Sequence, residues 1–126
     1  MIEEDGWTED LPWIGQYVLD EDGKAVPAKG LLSWANWMED KRRDCILARD
    51  VIGSASVRTD FLGLDQRVMF MMSLEGFDPI FYRPTLWETM VFGGPHHLYQ
   101  ERYTSREDAL VGHRRIVQMI QEDKPA

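Results

Sequence analysis

The C-terminal half of the chain carries the pattern that most constrains its fold. Residues 86–92 are rich in β-forming side chains, Gly93-Gly94-Pro95 supplies a tight turn, and residues 98–103 form a second β-rich run. The glycines lead from one strand into another, whereas a phosphate-binding loop leads from a strand into a helix N-terminus. The segment therefore predicts a β-hairpin rather than a phosphate-binding loop.

A helix is predicted directly after this hairpin. Thr104 with Glu107 and Ser105 with Asp108 both have the spacing of a capping box, in which side chains satisfy the free backbone amides of the first turn. The predicted buried face recurs at helical spacing and consists of Ala109, Leu110, His113, Ile116, Val117 and Ile120. These features predict a C-terminal amphipathic helix that packs on a sheet.

Two further strands and a second helix are predicted upstream. Residues 45–52 and 55–61 are β-rich and are joined by Gly53-Ser54, and inward and outward side chains alternate along 55–61. Residues 28–43 instead have helical periodicity, with an apolar stripe formed by Leu31, Trp34, Ala35 and Met38. We therefore predict an α+β fold, in which an antiparallel sheet of about four strands carries the two helices packed on one face.

The first 27 residues are predicted to form an acidic arm before a single α+β domain at residues 28–126. Residues 1–30 contain eight acidic residues and two lysines, a balance of −6 within a net charge of −8. Residues 16–19 and 25–27, with a turn-prone stretch between them, indicate a short hairpin in this arm. Because clustered Lys and Arg are few, we expect no direct nucleic-acid binding.

Composition limits the compartment and the cofactor chemistry. Cys45 is the single cysteine, which excludes an intrachain disulfide and a cysteine-based zinc site. The acidic N-terminus does not have the form of a secretion signal, and no apolar run reaches the roughly 18 residues of a membrane span. We expect a cytoplasmic protein without membrane association or cofactor. Whether it forms a homo-oligomer is left open by the sequence.

The connection at residues 62–85 has no clear period and is long for a compact domain. It is rich in soft apolar side chains, namely Met69, Phe70, Met71, Met72, Phe77 and Phe81. These residues either form extra core on a sheet face or form an adaptable contact surface. The usual burial of such side chains favours the core.

His113 is the most specific single candidate for a functional residue, because it lies on the apolar stripe of the last helix. A general base or ligand at this position needs an orienting acid, for which Asp60, Asp65 and Glu88 are candidates. A small-ligand pocket lined by Trp34, Asp65 and His113 is a second interpretation. The sequence favours a core histidine that is satisfied by hydrogen bonds, since no second catalytic group is fixed near it.

The remaining chemical candidates have simpler explanations. Asp60 and Glu88 lie on strands that can be neighbours, but Arg58 and Arg102 are available to pair with them. Adjacent histidines at 96–97 point to opposite sides of an extended chain and seldom bind one metal together. We therefore predict no catalytic residue and no metal site.

Three motifs resemble a group of short uncharacterised proteins encoded by bacteriophages and prophages. They are Phe61-Leu-Gly-Leu-Asp65, Trp87-Glu-Thr-Met-Val-Phe-Gly-Gly94, and the Glu-Asp-Ala…Gly-His pattern that ends at His113. The resemblance covers residues of about 16–120, although the segment 66–85 is longer than the pattern of the group. It implies a phage origin and the host cytoplasm, and it carries no catalytic residue over to this chain.

These observations lead to one expected function and two alternatives. We expect a non-enzymatic accessory protein that binds a host or phage macromolecule. The expected partner is a protein, such as a host defence or regulatory factor that it inhibits. The alternatives are a binder of a small ligand such as a nucleotide, and a hydrolase that uses Asp65, Glu88 and His113. The candidate contact residues are Trp34, Asp65, Met69, Phe70, Met71, Met72, Glu88 and His113.

Overall fold

The computed structural model describes residues 14–65, 67, 70–71, 73–76 and 82–123. These residues fall into two compact units, and each unit combines two separate stretches of chain. The described residues of the hairpin unit come from 14–42 and 63–84, and those of the sheet unit come from 43–62 and 85–123. The predicted boundary after residue 27 stays a prediction, because a compact unit need not be an independent folding domain.

The hairpin unit begins with two short strands and a helix. Strand β1 (Tyr17–Leu19) pairs antiparallel with β2 (Ala25–Pro27), where the sequence indicated a short hairpin. Asp20 stabilises the connecting turn, since its carboxylate accepts hydrogen bonds from the backbone amides of Asp22 and Lys24, each at 2.9 Å. Helix α1 (Leu31–Asp40) follows and contacts β1.

Helix α1 is shorter than predicted. It spans ten residues rather than 28–43, and within the hairpin unit it contacts β1. Two contacts of its apolar stripe explain this packing. The Trp34 indole donates to the Gly63 carbonyl at 2.9 Å, and the Met38 sulfur leaves no room for a side chain at Gly63. The stripe is therefore used within the hairpin unit.

The sheet unit contains four strands and one long helix. Strands β3 (Ile46–Ile52), β4 (Ala55–Phe61), β5 (Trp87–Phe92) and β6 (Gln100–Tyr103) form an antiparallel sheet in that order. Helix α2 (Arg106–Glu122) packs on one face and contacts all four strands. The α+β class and the four-stranded antiparallel sheet are thus confirmed.

The core of the sheet unit follows from the alternation of side chains along β4. All four residues of β4 that face α2 are buried, whereas Arg58 on the other face is exposed. The central apolar cluster consists of Ala55, Val57, Val91, Ile116 and Ile120. Burial of one stripe of α2 against one face of the sheet supplies the main hydrophobic stabilisation of this unit.

Local chemistry sets the ends of β6 and α2. Leu98 has a positive φ of 70°, so the turn after β5 extends through this residue and β6 begins at Gln100 rather than at the predicted residue 98. Ser105 is the N-cap of α2, and its side chain accepts a hydrogen bond from the Asp108 amide at 3.0 Å. One of the two predicted caps is therefore confirmed. Neither helix in the described part of the chain has the length and apolar character of a membrane span.

We predict that Gly93→Ala destabilises the protein more than Gly23→Ala. Both glycines have positive φ, 86° and 78°, so both substitutions carry about 1–2 kcal/mol of backbone strain. A Cβ at Gly93 would also overlap the Ser54 carbonyl oxygen, whereas nothing lies near a Cβ at Gly23. The overlap adds ~1–3 kcal/mol to the cost at Gly93. Chemical denaturation measures both values, and equal costs would contradict the close approach of the two turns.

Candidate functional site

The sheet unit contains a buried polar array that is centred on His113. This side chain extends from α2 toward the sheet, and the residue is 3% exposed. Its Nδ1 lies 2.8 Å from Thr59 Oγ1 on β4, and its Nε2 lies 2.7 Å from Asp50 Oδ2 on β3. The imidazole therefore links the helix to two strands at once.

The array continues across the sheet beyond Thr59. Thr59 Oγ1 lies 2.5 Å from Thr89 Oγ1 on β5, and the Tyr103 hydroxyl on β6 donates to Thr89 Oγ1 at 3.0 Å. Gly112 allows this arrangement, because a Cβ there would collide with the Tyr103 ring. Side chains from all four strands and from α2 thus form one connected chain of hydrogen bonds.

Hydrogen-bond chemistry fixes the direction of this chain for a neutral imidazole. An ionised Asp50 carboxylate only accepts, so His113 Nε2 carries the proton and Nδ1 accepts from the Thr59 hydroxyl. Thr59 then accepts from Thr89, and Thr89 accepts from Tyr103. Every hydroxyl donates once. In an imidazolium both ring nitrogens donate. Thr59 would then accept from Nδ1, and its own hydroxyl would donate to Thr89 instead.

The far end of the array reaches a surface carboxylate. Tyr103 Oη is 3.5 Å from Glu101, which also bonds Arg115 and Tyr99. Burial opposes ionisation of Glu101, but the hydrogen bonds from Arg115 and Tyr99 outweigh it and lower the pKa of this carboxyl. Burial also raises the pKa of the Tyr103 phenol. Glu101 is thus an anion and Tyr103 a neutral donor near pH 7.

The connectivity of aspartate, histidine and threonine in the array is that of a nucleophilic triad, but the accessibility is reversed. Thr59, in the position of the nucleophile, is 0% exposed, while the Asp50 side chain is 54% exposed. A nucleophile must reach its substrate. In this conformation the array therefore cross-links the helix and the sheet, as expected for a core histidine that is satisfied by hydrogen bonds.

The acid that orients His113 is Asp50, which the sequence did not single out. The candidates were Asp60, Asp65 and Glu88. Asp50 and Ile52 are two residues apart on β3, so both side chains point to the side of the sheet that α2 covers. Asp50 is therefore an acid on the helix-facing side of an edge strand. That position was the available signal, because an acid on this side of β3 can reach a side chain of α2.

Glu88 and Asp60 form a second cluster, on the sheet face opposite α2. They are directly opposed in the register of β4 and β5, as the sequence suggested. Asp60 bonds Arg58 and Glu88 bonds Arg102, each at 2.9 Å, so both predicted arginine pairs are present. Burial raises the pKa of Asp60; Arg58 opposes the rise, and Glu88 adds to it.

Trp34 and Asp65 lie in the hairpin unit, whereas His113 lies in the sheet unit. Asp65 is 2% exposed, and its carboxylate accepts hydrogen bonds from the Tyr82 hydroxyl and, at 3.0 Å, from the Arg67 amide. Burial and the Asp65 carboxylate raise the pKa of Tyr82 to about 12. Asp65 therefore anchors the chain on both sides of the long connection, and a role in ligand binding stays a prediction.

The apolar candidates in the long connection are only partly described. Phe70 is 66% exposed and Met71 is half-buried, while Met69, Met72, Phe77 and Phe81 lie outside the described residues. The favoured interpretation of this segment as core was therefore wrong for Phe70. The sequence could not settle its burial, because the segment has no periodic pattern.

The cysteine is buried, and the turn histidines have hydrogen-bond partners. Burial raises the pKa of the Cys45 thiol, and Asp60 and Asp44 add to the rise, which disfavours a thiolate nucleophile. His97 Nδ1 accepts from the Gly93 amide at 2.7 Å. Within the described residues, no group of three His, Cys, Asp or Glu is placed to hold a metal ion. Comparisons of the chain with protein-family models, curated proteins and solved structures found no match.

We predict that Thr59→Val and Thr89→Val are coupled. Each single change leaves a buried hydrogen-bonding group without its partner and costs about 1–3 kcal/mol. Together they remove both hydroxyls of the pair, so the double variant should cost less than the sum of the singles. A double-mutant cycle by chemical denaturation measures the coupling, with the exposed Thr104→Val as control. Strict additivity would contradict the array.

The raised pKa of Asp60 predicts how Asp60→Asn changes stability with pH. The contribution of a group whose folded pKa is raised is fully present below its ordinary pKa of 3.8 and is lost as pH rises through the folded value. An asparagine has no such loss. The variant should therefore gain stability relative to the wild type as pH rises above about 3.8, measured by denaturation at several pH values. Asp40→Asn, at an exposed position on α1, is the matched control. A gain of the same size in the control would count against burial as the cause.

Proposed function

We propose that this chain is a phage-encoded accessory protein that binds another macromolecule and performs no reaction on it. The observation that carries the proposal is the exposure of two large apolar side chains in the long connection. Phe70 is 66% exposed and Leu74 is 44% exposed. Exposed aromatic and aliphatic side chains that lie close in sequence are typical anchors of protein interfaces. We call Phe70 and Leu74 the apolar turn.

Backbone hydrogen bonds order the apolar turn before any partner binds. The Leu74 amide donates to the Met71 carbonyl at 3.1 Å, and the Ser73 amide and hydroxyl both donate to the Phe70 carbonyl, at 3.1 and 2.6 Å. A preformed turn loses less conformational entropy on binding than a flexible one does. This order supports a specific contact surface rather than a loosely attached loop.

The state of the polar candidates supports binding over catalysis. His113 is inside the hydrogen-bonded array, Glu88 pairs with Arg102, and Asp65 bonds Tyr82. A general base or nucleophile has to be accessible to its substrate. His113 and Asp65 are only 3% and 2% exposed, so they are poor candidates for that role.

Charge favours a basic partner. The chain has a net charge of −8, most of it within residues 1–30, and complementary charge accelerates the encounter of two proteins. The resemblance to phage and prophage proteins adds a host defence or regulatory factor as the proposed class of partner. Such a partner would place the protein in the host cytoplasm.

The proposal predicts that the double variant Phe70→Asp/Leu74→Asp loses its partner. The tagged protein would be used to recover bound proteins from a bacterial host lysate, followed by identification and by affinity measurement on the recovered protein. Removal of apolar anchors at the centre of an interface should weaken binding by about thirty-fold or more. Val111→Asp is the matched control, because Val111 is 56% exposed on α2 and outside the apolar turn.

Thermal unfolding must show that all three proteins are equally folded. Recovery of the same set of proteins by the wild type and by the double variant would contradict a contact through the apolar turn. Loss of the partner in the Val111→Asp control would place the interface on α2 instead.

A further inference from the structure

A cavity opens at one end of the sheet unit, where two turns meet the end of α2. Its volume is about 190 Å³. The lining comes from residues 52–55, at the turn between β3 and β4, and from residues 94–96, at the turn after β5. Ile120 and Asp123 complete it from the helix side. None of the described lining residues belongs to the hydrogen-bonded array or to the apolar turn.

The walls of the cavity are mainly apolar. Ile52, Ala55 and Ile120 line it, and all three belong to or pack against the core cluster of the sheet unit. A cavity of roughly 150 Å³ with aliphatic walls is large enough for benzene. The space therefore fits a single aromatic ring with a short substituent, and it is too small for a nucleotide.

The rim of the cavity carries one carboxylate, that of Asp123. The Asp123 side chain is 54% exposed and lies 2.8 Å from His96 Nε2 through Oδ2. Asp123 is the C-cap of α2, where the last carbonyl groups carry partial negative charge, and no basic residue lies in the last turn of this helix. Residues 121–124 contain two acids and one lysine, so the local balance is negative. A positive ligand group is favoured at this rim, and an anionic group is disfavoured.

We propose that this cavity is a binding site for a small organic cation, namely one aromatic ring that carries an alkylammonium arm. The ring occupies the space between Ile52, Ala55 and Ile120. The ammonium group lies against the Asp123 carboxylate and the C-terminal carbonyls of α2. The net charge of −8 further favours a cation over an anion of the same size.

The test compares three probes of similar size and different charge: benzylamine, benzyl alcohol and phenylacetate. Each is titrated into the full-length protein at neutral pH, where the amine is charged, while backbone amide shifts are followed by NMR. We expect saturable shifts at residues 52–55 and 94–96 with benzylamine, and a Kd on the order of 1 mM because so small a ligand makes few contacts. Benzyl alcohol should bind more weakly, and phenylacetate should not bind.

A pair of variants tests the role of the rim. Asp123→Asn should weaken benzylamine binding roughly two- to five-fold, the range for an exposed ion pair, and should leave benzyl alcohol binding unchanged. Glu107→Gln removes an acid at the opposite end of the same helix and should change neither. Equal binding of the three probes, shifts outside the lining residues, no saturable shift, or no effect of Asp123→Asn would each overturn the proposal. None of these outcomes bears on the apolar turn.

Discussion

The arrangement of the sheet unit depends on hydrogen bonds for three polar residues that are buried between α2 and the sheet. Thr59, Thr89 and His113 are 0%, 0% and 3% exposed, and a buried polar group without a partner costs about 1–3 kcal/mol. The observed rotation of α2 and the observed strand register bring these groups together. A slip of one residue in β4 would move Thr59 to the other face of the sheet. Apolar packing stabilises the unit, and the array makes its arrangement specific.

The sequence could predict those features that depend on neighbours in the chain. Alternation along residues 55–61 follows from the difference between the two sheet faces, and the Ser105 cap follows from a spacing of three residues. The partner of His113 could not be found in this way, because Asp50 lies 63 positions away. Its identity depends on which edge strand α2 crosses, which is a property of the tertiary structure. The contact of α1 with β1 has the same origin.

The candidate site was predicted less well than the fold, for a related reason. Residue type indicates which chemistry a side chain is capable of. Burial and hydrogen bonding decide whether the side chain is accessible to a substrate or a partner. His113 has the chemistry of a general base, yet both of its ring nitrogens are occupied. Phe70 belongs to a residue type that is usually buried, yet it is exposed in a turn without periodic pattern. For His113 the long-range contacts outweigh the local tendency.

The polar side chains of the array are hydrogen-bonded in the core, whereas the apolar side chains of the apolar turn are exposed. This difference matters for the choice between catalysis and binding. A hydrolase needs a nucleophile and a base that water and substrate can reach, whereas Thr59 and His113 would have to leave the core first. Such an opening would break the links between α2 and strands β3 and β4, and would therefore compete with the stability of the whole unit. The apolar turn requires no such opening, because Phe70 is already at the surface. The proposed recognition through this turn leaves the hydrogen bonds of the array intact, whereas a reaction at Thr59 or His113 would have to break them.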